Sequence, residues 1–127
     1  MEFQTLRIPF PPAAGMQLRQ VAVRQAFRRP IASAAVALTG YSLRLKGDRE
    51  LKDLIIRLEH TIFNSSTTIQ PEVRVVATLG VRDAAGYFDD PFEGEIEALL
   101  IYELVPSLDS HGRLGDPLLE TLDARPA

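Results

Sequence analysis

The chain holds two histidines, His60 and His111, and no cysteine. Imidazole is therefore the only side chain here that titrates near neutral pH without a perturbed pKa. A thiolate nucleophile and a thiolate zinc site are excluded. His111 sits in the turn-like run Ser107-Leu108-Asp109-Ser110-His111-Gly112. Ser107, Ser110, Asp109 and His111 are the residue types of a serine hydrolase, but triad members converge from separate elements rather than from one turn. No Gly-x-Ser-x-Gly elbow is present. His60 lies in an apolar stretch and is expected to be a half-buried structural histidine. Neither a P-loop nor a Gly-x-Gly-x-x-Gly pattern occurs, and the two histidines lack zinc spacing. No catalytic residue is assigned, and a small hydrolase is the weakest reading.

The strongest constellation is an acidic and aromatic stretch, residues 83–93. Asp83, Asp89, Asp90 and Glu93 offer hard oxygen ligands at short spacing, as a Ca²⁺ site requires. Gly86 would permit a tight turn. The spacing is not that of an EF-hand, and the competing reading is a solvated turn braced by Asx-type hydrogen bonds. Tyr87, Phe88 and Phe92 are interleaved with these acids. Aromatic rings give large contact area at low rotamer cost, so these three are expected to bind a ligand, in a partner's pocket or on a sugar face, the other reading being that they tuck into the end of the fold. A lectin-like carbohydrate-binding module, calcium-dependent through those acids, is the alternative function. Paired carboxylates also occur in glycosidases, but a chain this short with its acids on one loop lacks the cleft.

Charge is unevenly spread. Residues 1–50 carry eight basic groups and three acidic ones, whereas residues 51–127 carry six and fourteen. Twelve of the fourteen basic residues are arginine. Arginine suits desolvated, bidentate contacts, so Arg19, Arg24, Arg28 and Arg29 are the expected interface residues. They lack lysine runs and have little aromatic interleaving, which argues against nucleic acid.

These residues need a scaffold. The chain has 127 residues, 46% hydrophobic and 24% charged, enough for one domain with a real core. Residues 72–82 alternate as a strand, with Val73, Val75, Ala77, Leu79 and Val81 on one face. Residues 94–105 alternate likewise through Ile96, Ala98, Leu100, Tyr102 and Leu104. Their order predicts that these two strands pair, setting Arg74 and Arg82 opposite glutamates. Residues 31–46 form a long apolar strand in which Gly40-Tyr41 marks a bulge or a change of sheet. Residues 17–24 alternate weakly, and Pro9, Pro11 and Pro12 break the run that starts at Phe3. Residues 49–63 fit both a helix stripe and a strand face; their Ile and Thr content and their neighbours favour strand.

The expected fold is all-β, an antiparallel sandwich of about six to seven strands. The alternative is an α+β fold with residues 49–63 helical. Residues 1–105 form the domain, and 106–127 are a tail whose Leu118, Leu119 and Leu122 dock on the domain or on a neighbouring subunit. The leading function is a non-enzymatic binding or assembly module, a homo-oligomer or part of a larger protein assembly. No signal peptide and no apolar window of about 18 residues is visible, so a cytoplasmic chain without membrane insertion is expected, export by a signal-independent route remaining open.

Overall fold

A computed structural model of the chain describes residues 1–13, 18–45, 51–64, 70–83, 92–106 and 118–126. All its regular structure is strand: β1 (Glu2–Ala13), β2 (Leu18–Phe27), β3 (Ile31–Leu45), β4 (Leu51–Phe63), β5 (Glu72–Asp83), β6 (Phe92–Leu104) and β7 (Leu118–Pro126). The segment with two readings, 49–63, is strand β4. One sheet has three strands in the order β1-β6-β3, the other four in the order β4-β5-β2-β7. Every pairing is antiparallel. The two sheets pack face to face as a small β-sandwich.

Alternation explains the layering, because successive side chains of a strand point to opposite faces. Leu6, Ile8 and Phe10 of β1 and Ile96, Ala98, Leu100 and Tyr102 of β6 supply the inner face of the three-stranded sheet. Val21, Val23 and Phe27 of β2 meet them from the other sheet, with Val73, Val75, Ala77, Leu79 and Val81 of β5. The Phe27 and Tyr102 rings lie 4.8 Å apart between centroids, tilted by 56°. The Tyr102 hydroxyl donates to a Glu2 carboxylate oxygen at 3.0 Å, so the polar tip of this core ring is satisfied.

Two sequence expectations, the first and third below, change, and two become more definite. First, β5 and β6 do not pair: they are the central strands of different sheets. Alternation shows that each strand has an apolar face, but that face is buried equally well across the sandwich as beside a neighbour. Arg74 accordingly lies opposite Arg24 of β2, and Arg82 opposite Asp53 of β4. Second, β3 stays in one sheet. The register slips between Leu38 and Gly40, leaving Thr39 as a bulge whose hydroxyl donates to the Glu97 carbonyl at 3.0 Å. Third, β1 runs through Pro9, Pro11 and Pro12 because it is an edge strand, where missing N–H groups cost no ladder bond. Fourth, residues 118–126 of the expected tail are β7, the outer strand of the four-stranded sheet, paired with β2.

One side chain ties the sheets together. Asn64, just past β4, accepts from the Ile31 backbone N–H and donates to the Ile31 carbonyl, both at 2.8 Å. Its amide thereby acts as one residue of a neighbouring strand at the start of β3. Asn64→Ala should lower stability by about 1–3 kcal/mol, since two backbone groups lose partners in a partly buried place. Thermal melts and faster hydrogen exchange at the Ile31 amide would register the loss.

Candidate functional site

Of the acidic and aromatic group, the structure describes the two ends. Asp83 ends β5, its backbone opposite Leu51. Phe92 opens β6 and is buried, 3% exposed, so its ring presents no face to a ligand. Glu93 reaches the surface and forms an exposed ion pair with Arg44 at 3.7 Å. Tyr87, Phe88, Asp89 and Asp90 lie outside the described residues, as do Ser107, Asp109, Ser110 and His111. No group of three metal-ligating side chains gathers among the described residues. His60 occupies an inward register position opposite Val75, yet it is exposed rather than half-buried. It lies on an edge strand, where inward-facing positions escape full cover.

Glu93 and Glu95 border an open depression of about 400 Å³, with Ser42 and Arg44 on one side and Pro9 and Pro11 on the other. The pair Arg7–Glu95, at 3.8 Å, stands nearby. These exposed pairs are worth little individually and leave the rim polar and solvated.

The four arginines separate. Arg19 is a bracket within the fold. Its guanidinium lies 5.0 Å from the Phe92 ring centroid and 5.7 Å from that of Phe10. It donates to the Phe92 carbonyl at 3.0 Å and to the Pro11 carbonyl. Desolvation lowers its pKa from the usual value, but a guanidinium remains charged at working pH. Arg24 and Arg74, opposite one another, both reach Glu72, at 3.9 and 3.8 Å. Glu72 is largely buried, and it offsets a like-charge cross-strand pair that would otherwise repel. Arg74 also lies over the Phe63 ring, 5.0 Å from its centroid. Arg28 and Arg29 form the bend between β2 and β3, with Arg28 exposed. The Arg29 Nε is buried and lacks a hydrogen-bond partner among the described residues.

A surface that the sequence reading passed over lies on the outer face of the three-stranded sheet. The register places Phe3, Ile101 and Ala35 in one row, and Thr5, Leu99 and Ala37 in the next. Phe3 is 57% exposed, and Ala35 and Ala37 are also exposed. Beyond these rows the same face turns charged, with Arg7 and Glu97. On the inner side of the same sheet, where β3 is the edge, Leu38 opposite the inward Ala98 is 45% exposed and Tyr41 opposite Ile96 55%. The signal was present in Leu99-Leu100-Ile101, three consecutive aliphatic residues where a half-solvated strand should alternate.

Among the described residues there is no helix long and apolar enough to cross a membrane. Compared with protein-family models, curated proteins and solved structures, the chain matches none of them.

Proposed function

We propose that this chain is a non-enzymatic assembly module that associates with copies of itself. One observation carries this reading: the apolar surface running from β3 over β6 to Phe3, through Ala35, Ala37, Leu99 and Ile101. An antiparallel sheet normally keeps its solvent face polar. Contiguous apolar surface on such a face marks a contact with another protein. Two of the arginines first expected at an interface, Arg19 and Arg24, are engaged inside the fold, so association should be driven by apolar contact more than by charge.

Light scattering from low micromolar to submillimolar concentration tests this. The expected result is a defined multiple of the 14.1 kDa chain mass that persists at high salt, where surface charge pairs are screened. A single species of chain mass across that whole range overturns the proposal.

A further inference from the structure

Both sheets end in edge strands, and the four edges differ in how they are guarded. β1 carries Pro9, Pro11 and Pro12. β4 carries Lys52, Asp53, Arg57 and Glu59, and β7 carries Glu120, Asp123, Arg125 and Pro126. Proline and charge on an edge are the usual defences against pairing with another chain. β3 has neither from Ile31 to Leu43: the run is Ile-Ala-Ser-Ala-Ala-Val-Ala-Leu-Thr-Gly-Tyr-Ser-Leu. Among the described residues, no strand pairs with its far side. At Ile31 that side is met by the Asn64 amide, which uses the N–H and the C=O together as a neighbouring strand would.

From this we infer that the far edge of β3 pairs antiparallel with the same edge of a second copy. Two three-stranded sheets then join into one of six strands across a two-fold axis near Val36. The inference rests on the assembly reading above and names its partner and geometry. Three features select a second copy. A two-fold axis normal to the sheet keeps inner faces inner and outer faces outer. Centred on Val36, it sets Ala35 opposite the partner's Ala37, and Ala34 opposite the partner's Leu38. Small residues admit close approach of the two sheets, and the exposed Leu38 gains cover. Arg44, the one charge in β3, falls well away from its own copy, whereas parallel in-register pairing would stack it on itself. The outer rows Phe3–Ile101–Ala35 and Thr5–Leu99–Ala37 then continue into the partner as one apolar stripe. The uninterrupted stretch from Ser33 to Leu38, between the slips after Ile31 and after Leu38, is the part of the edge flat enough to pair.

The test uses the full chain and light scattering, with circular dichroism to confirm folding. The double variant Ala35→Lys/Ala37→Lys puts lysine opposite lysine at the axis and is expected to be a folded monomer. Mixed with Ala35→Glu/Ala37→Glu, it should form a heterodimer, because each lysine then meets a glutamate. Phe3→Lys lies on the same face but two strands from the edge, and should leave the dimer intact. A lysine variant that remains dimeric overturns edge pairing while the assembly reading stands. So does loss of the dimer in Phe3→Lys, which would point to stacking of faces. A lysine–glutamate mixture that stays monomeric also overturns edge pairing. A wild-type chain that is monomeric throughout overturns both proposals.

Discussion

Phe27→Ala should lower the unfolding free energy by about 3–5 kcal/mol, the range for emptying a buried aromatic site. Phe27 is fully buried, packs at a tilt against the Tyr102 ring of the opposite sheet, and its backbone N–H donates to the Pro71 carbonyl at 2.8 Å. The side chain therefore joins the two layers near the point where β2 ends and the chain enters β5. Domains of this size have total stabilities of roughly 5–15 kcal/mol, so the variant loses a large share of its margin. At about 3–5 °C per kcal/mol for this length, the melting temperature should fall by roughly 10–25 °C. Chemical denaturation should show a lower midpoint at unchanged slope, since the surface exposed on unfolding is nearly the same. Phe27→Leu keeps most of the volume and loses the ring pair, so a cost of about 1 kcal/mol is expected. Equal effects of the two variants would show that the ring is not packed as described.

The second large effect concerns two glycines that look alike in sequence. Gly94 lies in β6 and Gly80 in β5, both inside strands. A Cβ on Gly94 would stand 2.6 Å from the Ser42 carbonyl oxygen and 3.3 Å from Leu79 Cδ2. Backbone cannot yield without shifting β3 against β6, so Gly94→Ala should cost about 1–3 kcal/mol, the range for overpacking. Gly80 also meets an obstruction, the side chain of Leu18, which crosses above it. Leu18 is exposed and at the start of β2, so it rotates away. Replacing a strand glycine by alanine also reduces the entropy of the unfolded chain. Gly80→Ala should therefore be within about 0.5 kcal/mol of wild type. Thermal melts of the two variants side by side decide the matter. Comparable losses would mean that Leu18 is as fixed as the backbone over Gly94.

The layering was readable from residues 72–82 and 94–105, because period-2 alternation of aliphatic and charged side chains has one interpretation. Which strand pairs with which was not. β5 and β6 are consecutive, and short-range order favoured pairing them; their true neighbours, β2 and β4 for one and β1 and β3 for the other, lie partly far away in sequence. A single bulge had a similar effect inside β3. In an unbroken strand Ala35, Ala37, Tyr41 and Leu43 would share one face. The slip at Thr39 instead places Tyr41 and Leu43 opposite the inward Ile96 and Gly94, while Ala35 and Ala37 stay outside. A change of one residue in register exchanges faces, and no residue type announces it beyond the nearby glycine. The candidate surface was hidden for a related reason. Its members come from β1, β3 and β6, and only the pairing brings Phe3, Ala35 and Ile101 into one row. Tucking into the fold was one of the readings open for Phe92, and the sequence did not decide for it, because its burial follows from Arg19 and Phe10, far from it in sequence.

The central place of β6 between β1 and β3 also governs the order in which the molecule can form. β6 ends at Leu104, about 60 residues after β3 ends at Leu45. At ribosomal rates of about 5–20 residues per second, β3 emerges roughly 3–12 s before its ladder partner is complete. β1 waits longer still, because Phe3 must find Ile101. The four-stranded sheet, whose β4 and β5 are adjacent in sequence, can begin to assemble during that interval. β1 is thus among the last strands to be fixed, and β3, uncharged from Ile31 to Leu43, passes through synthesis with both sides open.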